Sequence, residues 1–372
     1  MSPDGPLWHL TMPSSRSTEP LFAAEESSMT YGEYFNAVSF FLEGRRETMT
    51  GIAADGLSRK LVANDLEPIE IYLEKHGAFY HPSRVVVSFN GRRFSRVLNV
   101  AVSRIGKAYL RNDVENLARL NRQFPYHFLP DVYDCGSVFI DPSREVTLFL
   151  GEWFDGYSEF HASQGRDRQR IEMKVWDPRL GAYTLSRSQA AGVFEKAAEI
   201  LTAYYNIETY EQIFSWHHAA GDFIVNFAED DVRAKLVTVR SYEPIIKAHH
   251  TDPELAVHAL LIFLLNMSIR MRMDRMDGTG DLVWVEDDAV NGTLRGFFKG
   301  LKLKERHGLL PAGVAGSFKK YLLQITKAET EDYFDSIVNR LLPEDPELPI
   351  IKAHIGAHAD TFYRKLAALE TA

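Results

Sequence analysis

The apolar positions along the chain change their period several times, and each change predicts a different element. From Tyr31 to about Val62, apolar residues recur at three- and four-residue spacings, which predicts helix. The stretch PIEIYLEKHG then alternates, and SRVVVSFNGRRFSRVLNVAVS contains two β-branched runs around Asn90-Gly91. Because Asn-Gly between two such runs is a strong hairpin signal, the pattern predicts three consecutive antiparallel strands.

The pattern then predicts one helix, two more strands and a largely helical remainder. LRNDVENLARLNRQ has Val114, Leu117 and Leu120 on a shared helical face, and FLPDVYDCGSVFI and EVTLFLGEWF follow as strands. From Ser186, a suitable N-cap, helices dominate, with WHHAAGDFIVNF and AKLVTVRSYEP as an interlude. This order predicts an α+β protein in two lobes. The expected division is a flexible arm (1–30), a helical extension (31–66), a β-rich N-terminal lobe (67–152) and a helical C-terminal lobe (153–372).

Charge and composition narrow the classes of partner. The net charge of −9 argues against binding to nucleic acid or to an anionic membrane, since both favour a basic surface. The apolar run from Ala256 to Ile269 is shorter than the roughly 20 residues that a bilayer requires, so it predicts a buried core helix. The N-terminus lacks the pattern of a signal peptide, and the only cysteine is Cys135. Both observations favour a cytoplasmic protein.

The element order resembles the protein-kinase-like fold, and within it the aminoglycoside-phosphotransferase branch, from roughly Pro68 to Pro244. EKHGAFYHPSRV stands where the family has its nucleotide-covering loop, so the resemblance implies that Lys75 and His76 contact a nucleotide. VLNVAVS resembles the strand that delivers a lysine to the phosphates, although Asn99 or Ser103 stands at that position.

Two carboxylates belong to the same comparison. Glu115 resembles the helix glutamate that pairs with the strand lysine. FLGEWFDG, which contains Glu152, resembles the last strand and the hinge that frames an adenine. The resemblance therefore implies that both residues belong to a cofactor site.

WHHAAGDFIV resembles the phosphotransferase catalytic loop. Aligned on its glycine and apolar run, His217, with His218 beside it, stands at the place of the catalytic Asp, and Asp222 at the place of a metal-binding Asn. Arg240 stands where the family has a second metal-binding Asp, and an arginine there attracts phosphate and repels metal. A different register instead places residues 221–223 on the family's Asp-Phe-Gly element.

The resemblance implies a fold with an interlobe cleft that binds ATP and Mg²⁺. With these altered groups we expect an atypical kinase that transfers a phosphoryl or other nucleotide-derived group to an unidentified small-molecule or protein acceptor. The alternative is a pseudokinase, a binding or scaffold module without chemistry. A third hypothesis is an enzyme that uses neither a nucleotide nor a metal, in which His217, His218 and Glu159 perform acid–base chemistry in the same cleft.

Two further polar stretches have separate interpretations. GEWFDGYSEFHAS carries Glu159 and His161, which we expect to line a cleft between the lobes. SIRMRMDRMDGTGD predicts a helix end that runs into an acidic loop, and its spacing does not match a calcium-binding EF-hand.

Overall fold

The structure, a computed structural model, describes most of the chain and divides it into two units. The described residues are 5–13, 28–54, 68–77, 79–165, 170–216, 221–228, 231–246 and 252–369. Unit 1 holds the described residues up to Gln123 together with Pro130–Asp155. Unit 2 holds Phe124–Leu129 and the described residues from Gly156 onward.

Unit 1 contains a five-stranded antiparallel sheet in the order β1-β2-β3-β5-β4. Its strands are β1 (Glu70–Leu73), β2 (His81–Phe89), β3 (Arg92–Ala101), β4 (Val132–Asp141) and β5 (Arg144–Glu152). The hairpin predicted between β2 and β3 is confirmed, with Phe89 opposite Arg92. Its two turn residues have positive φ angles, 49° at Asn90 and 73° at Gly91, which is the backbone conformation that favours Asn-Gly in such turns.

Three α-helices belong to unit 1 among the described residues. They are α1 (Tyr31–Glu43), α2 (Arg46–Ala54) and α3 (Arg104–Gln123), and a 3₁₀ helix (Pro6–His9) precedes them. A capping box between Thr30 and Glu33 begins α1. The remainder of the helix predicted up to Val62 lies outside the described residues.

Helices cover both faces of this sheet. The face toward α1 buries alternate residues of the strands, among them Val85, Leu98 and Leu148, together with Val38 and Phe41 of α1. The opposite face receives α3, which packs against β3, β4 and β5. Because helices cover both faces, β2 buries neighbouring residues such as Val86 and Val87, whose side chains point to opposite faces of the sheet.

Unit 2 contains a second five-stranded sheet, in the order β11-β10-β6-β7-β8, and two strand pairs, β12-β9 and β13-β14. The strands are β6 (Ser158–Gln164), β7 (Ile171–Asp177), β8 (Gly181–Thr184), β9 (Glu211–Phe214), β10 (Phe223–Ala228), β11 (Asp231–Leu236), β12 (Ser241–Pro244), β13 (Met273–Arg275) and β14 (Leu282–Trp284). The sequence predicted only a short linker where β6, β7 and β8 lie. That expectation was wrong, because the segment pairs with β10, more than 60 residues away.

Helices make up most of the rest of unit 2. They are α4 (Arg187–Tyr204), α5 (Pro253–Arg270), α6 (Asp288–Arg306), α7 (Val314–Leu322), α8 (Lys327–Val338) and α9 (Leu348–Ala368). The predicted cap at Ser186 is confirmed, and its side chain accepts a hydrogen bond from the Gln189 N–H. Of the described helices, α5 is the one long and apolar enough to cross a membrane, but half of its most apolar window is buried within the protein. It packs against α6, α8 and α9.

The closest helix contact in unit 2 joins α4 to α6 through glycines spaced four residues apart. A Cβ at Gly292 would stand 2.5 Å from the Ala191 carbonyl oxygen, and one at Gly300 would stand 2.6 Å from the Thr202 Cβ. A Cβ at Gly296, between them, would overlap the Glu195 carbonyl oxygen. The two helix backbones can approach this closely only because α6 presents no side chains there.

The α+β class predicted from the sequence is confirmed. Antiparallel strands dominate the N-terminal half, and helices dominate the C-terminal half. Unit 1 has three strands, one helix and two strands in that order, which is consistent with a bilobal kinase-like fold.

We predict that Gly296→Ala destabilises the protein. Overpacking between α4 and α6 costs about 1–3 kcal/mol, which exceeds the gain of up to about 1 kcal/mol in helix propensity. Urea denaturation measures this change. The matched control is Gly316→Ala on α7, where an added Cβ meets nothing within 4 Å, so it leaves the stability unchanged or raises it. Equal effects of the two substitutions would show that the helix contact tolerates a side chain.

Candidate functional site

A buried ion pair joins the beginning of β10 to the segment between β11 and β12. Both guanidinium nitrogens of Arg240 bind the Asp222 carboxylate, with Nη1 2.6 Å from Oδ2 and Nη2 on Oδ1. The side chain of Asp222 is 1% exposed and that of Arg240 is 13% exposed. Arg240 Nη1 also donates to the Ser215 carbonyl oxygen at 3.2 Å, so one side chain holds the end of β9 as well.

The local sequence explains how these two residues meet. β10 and β11 form a hairpin in which Phe223 is opposite Leu236, so the residues just outside that pair lie side by side. The Val237 N–H donates to the Asp222 carbonyl oxygen at 2.8 Å and extends the ladder by one bond. Trp216 is buried in edge-to-face contact with Phe223, their ring centroids 5.8 Å apart. The two positions that the resemblance assigned to metal ligands are therefore neighbours in unit 2.

Their chemistry differs from the expectation that Asp222 binds metal and Arg240 binds phosphate. Both carboxylate oxygens of Asp222 accept hydrogen bonds from the guanidinium of Arg240. The two side chains therefore neutralise each other. Among the described residues, which exclude His217 and His218, no three His, Cys, Asp or Glu side chains are placed to hold a metal ion. The described groups at this position do not fit a divalent cation. The predicted base at His217 and its neighbour His218 lie outside the described residues.

The connection between β1 and β2 carries the predicted nucleotide contacts Lys75 and His76. Lys75 is exposed, whereas His76 is half-buried. The His76 ring lies between two partners, the Tyr31 hydroxyl 3.3 Å from Nε2 and the Nδ1 of His81 3.2 Å from its own Nδ1. His76 is thus engaged with α1 and β2.

His81, the first residue of β2, is held neutral by its surroundings. Burial lowers the pKa of its imidazole from 6.5 to about 4, and the charge of His76 lowers it further in the same direction. Its backbone carbonyl accepts from the Tyr34 hydroxyl at 2.9 Å, and this hydroxyl also contacts Ser83 Oγ at 2.7 Å. His81 therefore stays neutral to a lower pH than an ordinary histidine.

The helix carboxylate that faces inward is Asp113. Glu115, the predicted site residue, is exposed on α3, whereas Asp113 is 1% exposed and accepts from the Tyr80 hydroxyl at 3.1 Å. Two residues correspond to about 200° around a helix, so Glu115 lies on the face opposite to Asp113. Asn99, at the expected lysine position, is buried in β3 opposite Phe149 of β5.

Glu152 is the last residue of β5 and forms hydrogen bonds to Asp131, just before β4. Its carboxylate lies 3.3 Å from the Asp131 N–H, and its own N–H donates to the Asp131 carbonyl oxygen at 3.0 Å. These bonds close the ends of β4 and β5. In the described structure the Glu152 side chain therefore helps to hold the end of β5 to the start of β4.

Two stretches that the sequence analysis interpreted separately meet in unit 2. The Asp274 carboxylate accepts from the Ala162 N–H at 2.6 Å and from the Arg275 N–H at 2.8 Å. Ser163 Oγ donates to Asp277 Oδ1 at 2.5 Å, and the buried His161 lies 3.7 Å from a carboxylate oxygen of Glu159. Sequence reasoning missed Asp274 and Asp277, because nothing local in the acidic stretch indicates partners 112 and 114 residues away.

This carboxylate cluster completes the edge of β6. β10 pairs only with Ser158 and Glu159, so the later residues of β6 need other partners on that edge, and Asp274 and Asp277 provide them. Burial raises the pKa of Asp274 to about 6, against the opposing effects of its backbone hydrogen bonds and of His161. Asp274 therefore changes charge closer to neutral pH than an ordinary aspartate.

Comparison with known proteins adds little to this geometry. No family model and no curated protein matches the sequence. Among solved structures, one described as "WaaP in complex with acyl carrier protein" aligns at 12% identity, covers 68% of this chain and 86% of that one, and has a TM-score of 0.27. At this TM-score the likeness carries no argument, so the description of the fold depends on the order of the helices and strands in this chain.

We predict that His81 contributes to loss of stability in acid. The unfolded chain binds a proton on His81 near pH 6.5, whereas the folded protein resists until about pH 4, so the free energy of unfolding falls as the pH drops through this interval. The shift corresponds to a loss of about 3 kcal/mol. Urea denaturation at a series of pH values should give a shallower decline for His81→Asn.

His81→Asn should still lose some stability as the pH falls, because burial also lowers the pKa of His358 to about 3. Identical slopes of stability against pH in His81→Asn and the wild type would contradict the assignment.

Proposed function

We propose that the protein is a pseudokinase, a kinase-like binding module that does not carry out Mg²⁺-dependent phosphoryl transfer. One observation carries this proposal, the bidentate ion pair between Asp222 and Arg240. It stands at the two positions that the family resemblance assigns to metal ligands. The proposal keeps ATP as the class of ligand and the aminoglycoside-phosphotransferase branch as the group of proteins that the sequence resembles.

The charge at the site is the physical reason. Phosphoryl transfer depends on positioning and on neutralising the charge of the phosphates, and a divalent cation supplies much of that neutralisation. Two carboxylates would attract such a cation, whereas the Asp222–Arg240 pair has no net charge. Breaking a buried ion pair costs about 3–5 kcal/mol, so a cation that competes for Asp222 starts with that disadvantage.

We predict that Arg240→Asp converts the ion pair into a cation site. Two adjacent carboxylates repel each other, so the variant should unfold at a lower temperature than the wild type in EDTA. Millimolar Mg²⁺ or Mn²⁺ should restore part of the loss, because a cation relieves the repulsion. Thermal unfolding at matched ionic strength measures both effects.

The matched control is Arg240→Gln, which also removes the guanidinium but adds no carboxylate. It should be destabilised without rescue by metal. Stabilisation of the wild type by Mg²⁺ would contradict the proposal. Equal metal responses of Arg240→Asp and Arg240→Gln would show that the two positions do not share a cation-sized space.

We also predict that Mg²⁺ does not strengthen the binding of ATP to the protein. Calorimetric titration with ATP should give a dissociation constant no lower in Mg²⁺ than in EDTA, because Arg240 already neutralises the Asp222 carboxylate. Release of ADP or phosphate should remain at the level of buffer. The proposal fails if the wild type turns over ATP with Mg²⁺ and Asp222→Ala abolishes that turnover.

A further inference from the structure

A polar groove runs along α4 and α6 in unit 2. It is lined by the N-terminal half of α4 and its cap, by Asp231 and Val232 of β11, and by Arg295 and Lys299 of α6. Its volume is about 620 Å³. Sites for small molecules typically measure roughly 300–1,000 Å³, so the groove has a suitable size. We call it the α4–α6 groove.

The sequence of α6 places two cations beside the contact with α4. Arg295 and Lys299 are four residues apart, so their side chains are neighbours on one face of the helix. Each is followed by a glycine, Gly296 or Gly300, at which α4 lies against the α6 backbone. The close approach of the two helices therefore brings both cations to the edge of α4.

A buried carboxylate on α4 contacts both cations. Glu195 is only 8% exposed. Its Oε2 lies 2.7 Å from the Nε of Arg295, and its Oε1 forms an ion pair with the Nζ of Lys299. A buried carboxylate needs a compensating partner, but one cation is enough to neutralise it. The second cation leaves this three-residue cluster with an excess positive charge.

The other charged residues of the groove do not remove this excess. Lys196 lines the groove and pairs with Glu199 at 3.0 Å. Asp231 also lines the groove, and its carboxylate lies 3.5 Å from the Nε of Arg233. Each of these pairs is neutral in itself. The groove therefore keeps the positive charge of the cluster and favours an anion.

The guanidinium of Arg295 has donors that remain available to a ligand. It meets Glu195 through Nε, and its side chain is 41% exposed. Within the part of the chain that the structure describes, no group accepts a hydrogen bond from its Nη1 or Nη2. The two Nη groups of a guanidinium match two oxygens of a phosphate, and the ammonium of Lys299 adds a point charge.

The rest of the lining favours a hydroxylated ligand over an acyl chain. Ser186, Ser188 and Gln189 supply hydroxyl and amide groups, and Val232 is the one described lining residue with an apolar side chain. Ser186 also caps α4 at this place, so the N-terminal end of the helix dipole adds a partial positive charge. A phosphate alone would leave much of the groove empty, whereas a larger polar ester would fill it.

We propose that the α4–α6 groove binds the phosphate monoester of a small hydroxylated molecule, with Arg295 and Lys299 in contact with the phosphate. The observation that carries the proposal is the pair of cations that one buried carboxylate holds at a polar groove. The described lining residues do not include Asp222 or Arg240, so the proposal concerns a second site and does not depend on the proposed function.

Calorimetric titration of the whole chain with glucose 6-phosphate tests this site. Titrations with inorganic phosphate and with glucose, at the same ionic strength, separate the contributions of the phosphate and of the hydroxyl groups. The key variant is Arg295→Gln, which removes the guanidinium but leaves Lys299 on Glu195. The matched control is Arg364→Gln on α9, where an exposed arginine loses its ion pair with Asp360.

We expect the wild type and Arg364→Gln to bind glucose 6-phosphate with the same affinity, and to bind inorganic phosphate and glucose more weakly. Arg295→Gln should bind the ester about tenfold more weakly or worse, because it loses charge-assisted hydrogen bonds. The proposal is overturned if the wild type does not bind the ester at millimolar concentration. It is also overturned if Arg295→Gln retains full affinity, or if Arg364→Gln loses as much as Arg295→Gln.

A second variant guards against misfolding of the first. Lys299→Gln leaves Arg295 on Glu195 and should also weaken the binding of glucose 6-phosphate, while circular dichroism checks the fold of each variant. Vesicles that contain phosphatidic acid present the same phosphate monoester on a lipid. Binding of these vesicles by the wild type without binding of glucose 6-phosphate would overturn the assignment to a small soluble ligand.

Discussion

An ionised carboxylate that is buried needs a compensating partner, and in unit 2 the partner that Asp222 finds in Arg240 organises the region from β9 to β12. Asp222 is almost fully enclosed, and Arg240 satisfies both of its oxygens. The same guanidinium reaches the Ser215 carbonyl oxygen, so the end of β9, the start of β10 and the segment before β12 converge on one side chain. Neutralisation from within the chain, in place of a bound ion, is the basis of the functional proposal.

The elements with local signals could be predicted from the sequence. The Asn90-Gly91 turn, the cap at Ser186 and the amphipathic face of α3 depend on residues close together in the chain. β6, β7 and β8 could not, because their apolar positions are weakly periodic. What holds β6 is its pairing with β10 and the bonds from Asp274 and Asp277. Non-local pairing of this kind leaves little trace in a short window of sequence.

In the candidate site, too, some features could be predicted from the sequence and others depend on contacts in the folded protein. The resemblance assigned Asp222 and Arg240 to two metal-ligand positions, and the β10–β11 hairpin brings them together, but their mutual bond depends on side-chain geometry. The buried carboxylate of α3 had a signal that was overlooked. Asp113 stands three residues after Leu110 and four before Leu117, on the apolar face, and a charged residue at such a position requires a partner.

The coverage of the unit 1 sheet by α1 has a consequence for how the chain can be divided. A minimal kinase-like segment, cut just before β1, would leave Val85, Leu98 and Leu148 without the helix that buries them. Such a fragment would expose an apolar sheet face and tend to aggregate. During synthesis the same order means that α1 leaves the ribosome first and remains without its partner strands until they follow.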